Sequence, residues 1–180
     1  MTRPLRFCAA ILLASFVGAC SGPDRPAQRG ASAPGRTHED DLHALQSELT
    51  TSRGALVMAL LSEDAPAAVR EFVRLARGGH YDGARFRAGD GLLLVAPRGR
   101  PSHPPLFNRR RHLIGSVATA QEGERRWSGG FYVCLRPLRE QDGRDAVFGR
   151  VVRGFDALAA LRDGDVLERV RIVPEAAVQR

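Results

Sequence analysis

The sequence predicts a mainly β fold, a closed barrel whose ends are plugged by two helices. Three observations carry this expectation. Short apolar or alternating segments recur between residues 51 and 175, only two long-separated stretches there have helical spacing, and Gly- or Pro-bearing turns divide them. The chain has 180 residues, 43% of them apolar, with 19 Gly and 11 Pro. That suits one domain, large enough to bury a core without disulfides once the N-terminal region is set aside.

Taken in order, "MTRPLR" is a basic start and "FCAAILLASFVGA" an apolar run too short to span a bilayer comfortably. The run ends in Val17, Gly18, Ala19 and Cys20, small residues before a cysteine that resemble the bacterial lipobox. The resemblance implies that residues 1–19 are a lipoprotein signal peptide and that Cys20 carries lipid, a stable anchor when more than one acyl chain is buried. Ser21 goes with sorting to the outer membrane. The expected location is the bacterial cell envelope, lipid-anchored at the periplasmic face of the outer membrane.

Residues 20–50 form the expected tether. "SGPDRPAQRGASAPGR" has linker composition without apolar periodicity. In "THEDDLHALQSEL", Leu42, Leu45 and Leu49 follow helical spacing and Thr37 with Asp40 suits a capping box, so a short helix is expected within 37–49. The domain then runs over residues 51–175, with a tail at 176–180. "GALVMALL" (54–61) predicts a strand buried on both faces. "SEDAPAAVREFVRLARGG" (62–79) predicts a helix capped by Asp64, with Pro66 in its first turn, Val69, Phe72, Val73 and Ala76 on one face, and Gly78 and Gly79 as the stop. Beyond "YDGARFRAGDGLLLVA" (81–96) and a Pro- and Arg-rich loop, strands are expected in "LIGSVATA", "GFYVCLRP" and "DGRDAVFGRVV". A second short helix is expected in "GFDALAALRDGD" and a closing strand in "VLERVRIV".

Several function classes fall away. Arg3 and Arg6 supply two of the net +7 charges, and the basic run "NRRRH" (108–112) has no interleaved aromatics, so nucleic acid is not an expected partner. His38, His43, His103 and His112 have no second ligand at a spacing that metal sites favour, and neither a metal nor a cofactor is expected. Ser116 and Ser128 have no His/Asp partners in sequence context. With Cys8 in the leader and Cys20 acylated, Cys134 is left as a lone, buried thiol. Trp127 either packs over the barrel mouth or stands exposed to grip a partner.

The phrases "GALVMALLSEDAPAAVREFVRLARGGHYDGARF", "HLIGSVATA", "GFYV" and "DGRDAVFGRVVRGFDALAAL", in this order, resemble the cyclophilin-type peptidyl-prolyl cis-trans isomerases from about residue 51 to 173. The resemblance implies an eight-stranded antiparallel barrel capped by two helices, and an activity on proline-containing peptide or protein segments. It also exposes a departure. The family's Phe-His-Arg, whose arginine stands near the prolyl nitrogen, is Phe86-Arg87-Ala88 here. The Gln that orients that arginine is Ala96, a second Gln is Gly130, the pocket Met is Thr119, the Trp-Leu pair is Glu140-Gln141 and a later His is Asp145.

Arg87 is the substitute cation this phrase offers. Strand alternation aims it to the face opposite Ala88, and a bulge at Gly89 would turn it back. The resemblance places Leu93, Ala120, Gln121, Phe131 and Tyr132 along the peptide-binding surface. Two readings follow: a monomeric prolyl isomerase for exported proteins, weakened by the altered site, or a binding module that holds a proline-containing segment without turnover. A third is a structural lipoprotein that meets anionic envelope polymer through Arg109, Arg110 and Arg111.

Overall fold

A computed structural model describes residues 42, 44–98, 103–122 and 126–175. Cys20, the expected leader, residues 21–41 with the expected capping box, and the tail 176–180 lie outside that range. The elements are β1 (Leu45–Thr51), β2 (Gly54–Leu60), α1 (Pro66–Arg77), β3 (Ala84–Arg85), β4 (Arg87–Gly89), β5 (Leu92–Val95), β6 (Ser116–Glu122), β7 (Arg126–Cys134), β8 (Val147–Arg153), α2 (Phe155–Ala160) and β9 (Val166–Pro174).

The strands form one antiparallel sheet in the order β3-β9-β1-β2-β8-β6-β7-β5-β4. Its two end strands are neighbours in sequence, separated by Phe86 alone, so the chain itself closes the sheet into a barrel. Phe86 accepts from Gly164 N–H at 2.9 Å and donates its own N–H to Asp165 O at 2.8 Å, which pins the joint. The strand count is therefore nine rather than the expected eight. The additional strand arises where the segment 84–89 breaks at Phe86, its first half pairing β9 and its second half β5.

The helix expected within 37–49 is corrected: Leu45–Thr51 is a strand between β2 and β9, and the barrel begins at Leu45 rather than residue 51. Ser47, Leu49 and Thr51 are buried at alternate positions, a period of two. The leucine spacing fits a helix face only until two neighbouring strands offer a full ladder of hydrogen bonds to the same segment. A two-residue turn, Ser52 and Arg53, joins β1 to β2, and Thr51 Oγ1 donates to Gly54 O at 2.6 Å. β2 is buried on one face (Leu56, Met58, Leu60) and only half-buried through Val57 and Ala59 on the other, so the expectation of two buried faces held for one.

α1 buries the expected stripe, Val69, Phe72, Val73 and Ala76, together with Ala68 and Leu75. Pro66 opens it, but Asp64 does not cap it. The N-cap is Ala65, whose methyl accepts nothing, and the Asp64 carboxylate instead meets Arg110 at 2.6 Å. Phe72 carries the helix into the core, its ring centroid 5.4 Å from Tyr81, 5.7 Å from Phe131 and 5.3 Å from Phe148. Of the two readings of Trp127, packing is the one found: it lies within β7, 1% exposed, with Nε1 donating to Gly130 O at 2.7 Å. Cys134 is a free, buried thiol, and burial pushes its pKa up to about 12.

Candidate active site

A groove of about 370 Å³ lies on the outer face of the barrel, floored by β5, β6 and β7. Strand register decides which side chains it receives. Leu92 opposes Cys134 and Leu94 opposes Tyr132, so both leucines share the outer face with Tyr132, and Ala118 opposes Tyr132 from the other side. Leu93 opposes Val133, which opposes Val117, and these three point into the barrel. The groove is lined by Leu92, Leu94, Ala120, Gln121 and Tyr132, with Gln141, Arg144 and Asp145 arriving from the turn before β8.

Three of the five expected groove residues, Ala120, Gln121 and Tyr132, are thus brought together. The other two are corrected. Leu93 and Phe131 are 0% exposed and belong to the main core with Phe72 and Phe148. Each sits one residue from a groove position, and in a strand one step reverses the face. Leu92 and Leu94 carry no sequence signal for the groove, because three consecutive leucines show no alternation from which to choose a face. Thr119 is also turned inward, 0% exposed, where Oγ1 accepts the N–H of Ala146 at 3.1 Å. At Gly130 a Cβ would stand 3.3 Å from Val95 O and 3.5 Å from the Ala120 Cβ. The glutamine expected there by family pattern has little room to enter.

The floor of the groove is polar beneath its apolar surface. Tyr132 is 4% exposed and donates its hydroxyl to Asp145 Oδ2 at 2.8 Å. Burial first, and the neighbouring Asp145 second, raise the Tyr132 pKa well above the ordinary phenol value. Burial also raises Asp145, against the stabilising hydrogen bond from Tyr132. The other side of the Tyr132 ring stacks on His112, at 6.0 Å and 18°. His112 Nδ1 lies 3.0 Å from Asp142 Oδ1, and its backbone N–H donates to the same oxygen at 2.8 Å. Those two contacts, the backbone one foremost, hold Asp142 below its ordinary value. Gln121 spans the rim, Nε2 donating to Arg144 O at 2.8 Å and to Leu106 O at 3.2 Å.

Arg87 opposes Leu94 in the β4–β5 ladder, and Leu94 opposes Tyr132. Arg87 therefore leaves the sheet on the groove's side, with its Cα about 10 Å from that of Tyr132 at two strand spacings. It is exposed, and among the described residues its side chain makes no hydrogen bond or ion pair. Ala88 takes the opposite face as expected, opposing Leu93, and its N–H donates to Asp163 Oδ1 at 3.0 Å. The ladder runs through Gly89 without a register shift, so no bulge is needed to aim Arg87. The lining of the groove cavity does not include the guanidinium.

A closed β-barrel with two helices and an external, aromatic-floored groove defines a recognisable class. The family model for cyclophilin type peptidyl-prolyl cis-trans isomerases matches residues 47–94 and 97–180. A peptidyl-prolyl cis-trans isomerase of Helicobacter pylori is 30% identical over 135 residues, covering 68% of this chain and 83% of that protein. One of Synechococcus elongatus is 30% identical over 143 residues, covering 73% of this chain and 99% of that protein. Among solved structures, a cyclophilin type peptidyl-prolyl cis-trans isomerase of Cryptosporidium parvum, determined in the presence of the dipeptide Ala-Pro, superposes with a TM-score of 0.64 at 17% identity, over 71% of this chain and 98% of that one. A cyclophilin of Hirschia baltica gives 0.63 at 16% identity, over 70% and 73%. The chain belongs to the cyclophilin-type peptidyl-prolyl cis-trans isomerase family.

Proposed function

We propose that this chain is a slow prolyl isomerase acting on exported proteins, with Arg87 in place of the family's arginine. One observation carries the reading: the only cation of the Phe86-Arg87-Ala88 phrase shares the sheet face of Leu94 and Tyr132. Rotation about an X–Pro amide faces a barrier of about 18–20 kcal/mol, and no covalent step is needed to lower it. Leu92, Leu94, Ala120 and Tyr132 offer an apolar seat for the proline ring. Gln121 stands at the edge where the peptide backbone passes. A guanidinium hydrogen bond to the prolyl nitrogen favours the pyramidal nitrogen of the twisted state, and a single such donor is worth about 2–4 kcal/mol. Catalysis is weak because Ala96 supplies no amide to orient Arg87, which must reach the nitrogen from an exposed, unrestrained position.

The second reading, a non-catalytic module for proline-containing segments, is favoured by Ala88 and by the buried Tyr132–Asp145 pair, which rigidifies a binding floor without supplying a donor. A protease-coupled assay with a prolyl tetrapeptide separates the two. Turnover above the uncatalysed rate supports the enzyme. Saturable, peptide-induced shifts of the Tyr132 ring resonances without turnover support the module. The structural-lipoprotein reading has less support than the sequence implied, since Arg110 of its three arginines is tied to Asp64.

The N-terminal sequence and Cys20 support a lipid-anchored protein at the periplasmic face of the outer membrane, and a monomer is part of the same reading. Incorporation of radiolabelled palmitate that persists in Cys20→Ser would refute the anchor.

A further inference from the structure

We propose that the outer surface around Arg111, Arg150 and Ile114 is a docking site for an anionic phospholipid, separate from the peptide groove and independent of prolyl isomerisation. A cleft of about 200 Å³ brings Arg110, Arg111 and Arg150 together with Ser116 and Leu113, and no carboxylate lines it. Ser116 and Arg150 oppose each other directly in the β6–β8 ladder, so both project from the same outer face. The loop that delivers Arg111 is held by Ser116, whose Oγ accepts from Leu113 N–H at 3.0 Å and donates to Arg111 O at 3.4 Å.

Of the three arginines, Arg110 is neutralised by Asp64 at 2.6 Å. Arg111 and Arg150 are exposed, and among the described residues neither makes an ion pair, although Arg111 adds to the positive field at Asp142. Two cations therefore face an acid-free cleft, a place that attracts a phosphate.

The ground beside the cleft is apolar. Leu113 is 48% exposed, Ile114 53% and Phe155 45%. They form one patch: a Cβ on Gly115 would lie 3.0 Å from Phe155 Cε1. Leu135, 36% exposed, adjoins through the 2.8 Å bond from Gly115 N–H to Cys134 O. Exposed aliphatic and aromatic side chains bordered by unpaired arginines match the two layers of a membrane surface, with phosphates above and acyl chains below. A soluble polyanion would use the charges and leave the apolar patch uncovered. The anionic lipid engages both, and that selects it as the occupant. The cleft shares no lining residue with the groove, so a barrel seated on lipid keeps its peptide site open.

The test uses the full chain with Cys20→Ser, so that no attached acyl group competes, and follows the amide resonances of residues 111–116 and 150. Dihexanoyl phosphatidylglycerol, below its micelle concentration, is expected to shift them saturably. Dihexanoyl phosphatidylcholine and glycerol 3-phosphate are each expected to bind roughly tenfold or more weakly, lacking either the net charge or the acyl chains. Arg111→Ala with Arg150→Ala should weaken phosphatidylglycerol binding roughly 25-fold, about fivefold per cation. Ile114→Ser with Phe155→Ser should weaken phosphatidylglycerol but not glycerol 3-phosphate. Of the five side chains changed, Arg111, Ile114, Arg150 and Phe155 are exposed and Cys20 precedes the barrel in sequence, and unchanged resonances elsewhere verify the fold. Absence of shifts, equal binding of phosphatidylcholine, glycerol 3-phosphate as tight as the lipid, or full affinity in the arginine variant would each overturn the site.

Discussion

Tyr132 donates its hydroxyl to Asp145 across 2.8 Å, and the two side chains are 4% and 8% exposed. Beneath an apolar groove lies a carboxylate whose charge burial disfavours, against the hydrogen bond from this phenol. Because Asp145 is raised above 3.8 in the folded chain, the folded state holds its proton where the unfolded chain has released it. Its contribution to stability is fully present below 3.8 and declines as the pH rises through the folded value. Asp145→Asn keeps an acceptor for Tyr132 and removes the charge. The variant's melting temperature should gain on the wild type as the pH rises from 3.5 to 7. Melts recorded across that range by circular dichroism check the sign; a pH-independent difference contradicts it.

Asp142 has the opposite linkage. Its two contacts with His112 hold it below 3.8, so its stabilisation is present above that value and is lost as the pH falls through the lower, folded one. Asp142→Ala leaves the backbone N–H and Nδ1 of a 1%-exposed histidine without their partner, and His112 Nε2 already has none. The expected cost at pH 7 is about 2–3 kcal/mol in urea unfolding, on the scale of an orphaned buried donor bonded to a charged group. The gap to wild type should narrow below pH 3.8. Release of His112 from Asp142 should also disturb the Tyr132 ring stacked on it, so the Tyr132 ring resonances report the same change.

Much of the fold was legible because its phrases are local. Pro66 and the Val69, Phe72, Val73 and Ala76 stripe specify α1 without reference to the rest of the chain. β1 was illegible for the converse reason. Its leucines suit a helix, and only pairing with β2 on one side and β9 on the other, the latter more than a hundred residues away, makes it a strand. Within the site, Ala120, Gln121 and Tyr132 were readable from motif position. The face of "LLLV" was not, since every residue in it is apolar and the choice belongs to the ladder with β7. The side that Arg87 takes is of the same kind: opposition to Ala88 follows from alternation, but which face the groove occupies is settled by the neighbouring strand.

Gly154 tests the joint between β8 and α2. It is the N-cap of α2 at φ 83°, and a Cβ there would collide with Ala55 O and stand 3.0 Å from Leu56 Cα. Both objections to a side chain, the left-handed backbone and the contact with β2, apply at once. Gly154→Ala should lower stability by more than about 1 kcal/mol, because backbone on either side cannot give way as a flexible side chain would. Gly143, at φ 74° with nothing within 4 Å, isolates the backbone part. Gly143→Ala should cost less than Gly154→Ala in the same denaturant titration, and equal losses would mean that the contact with Ala55 contributes nothing.

Arg87 is the residue on which the isomerase reading turns. Its place in the ladder puts it on the side of Leu94 and Tyr132, and it has no ion pair to break before it swings over a bound peptide. Removing it should leave the fold intact, since the side chain is exposed and the ladder bonds of β4 are made by its backbone. Arg87→Ala should therefore lower kcat/KM for a prolyl tetrapeptide by roughly 10²–10³, the loss of one charged donor to the twisted amide, with melting temperature unchanged. Arg87→Lys should recover only part of it, because an ammonium lacks the planar fork that can follow the prolyl nitrogen as it pyramidalises. Arg85, whose guanidinium donates to Gly164 O at 2.8 Å on the far side of the Phe86 break, is the control. If Arg85→Ala and Arg87→Ala lose the same turnover, the effect is one of net charge and Arg87 has no special position over the groove.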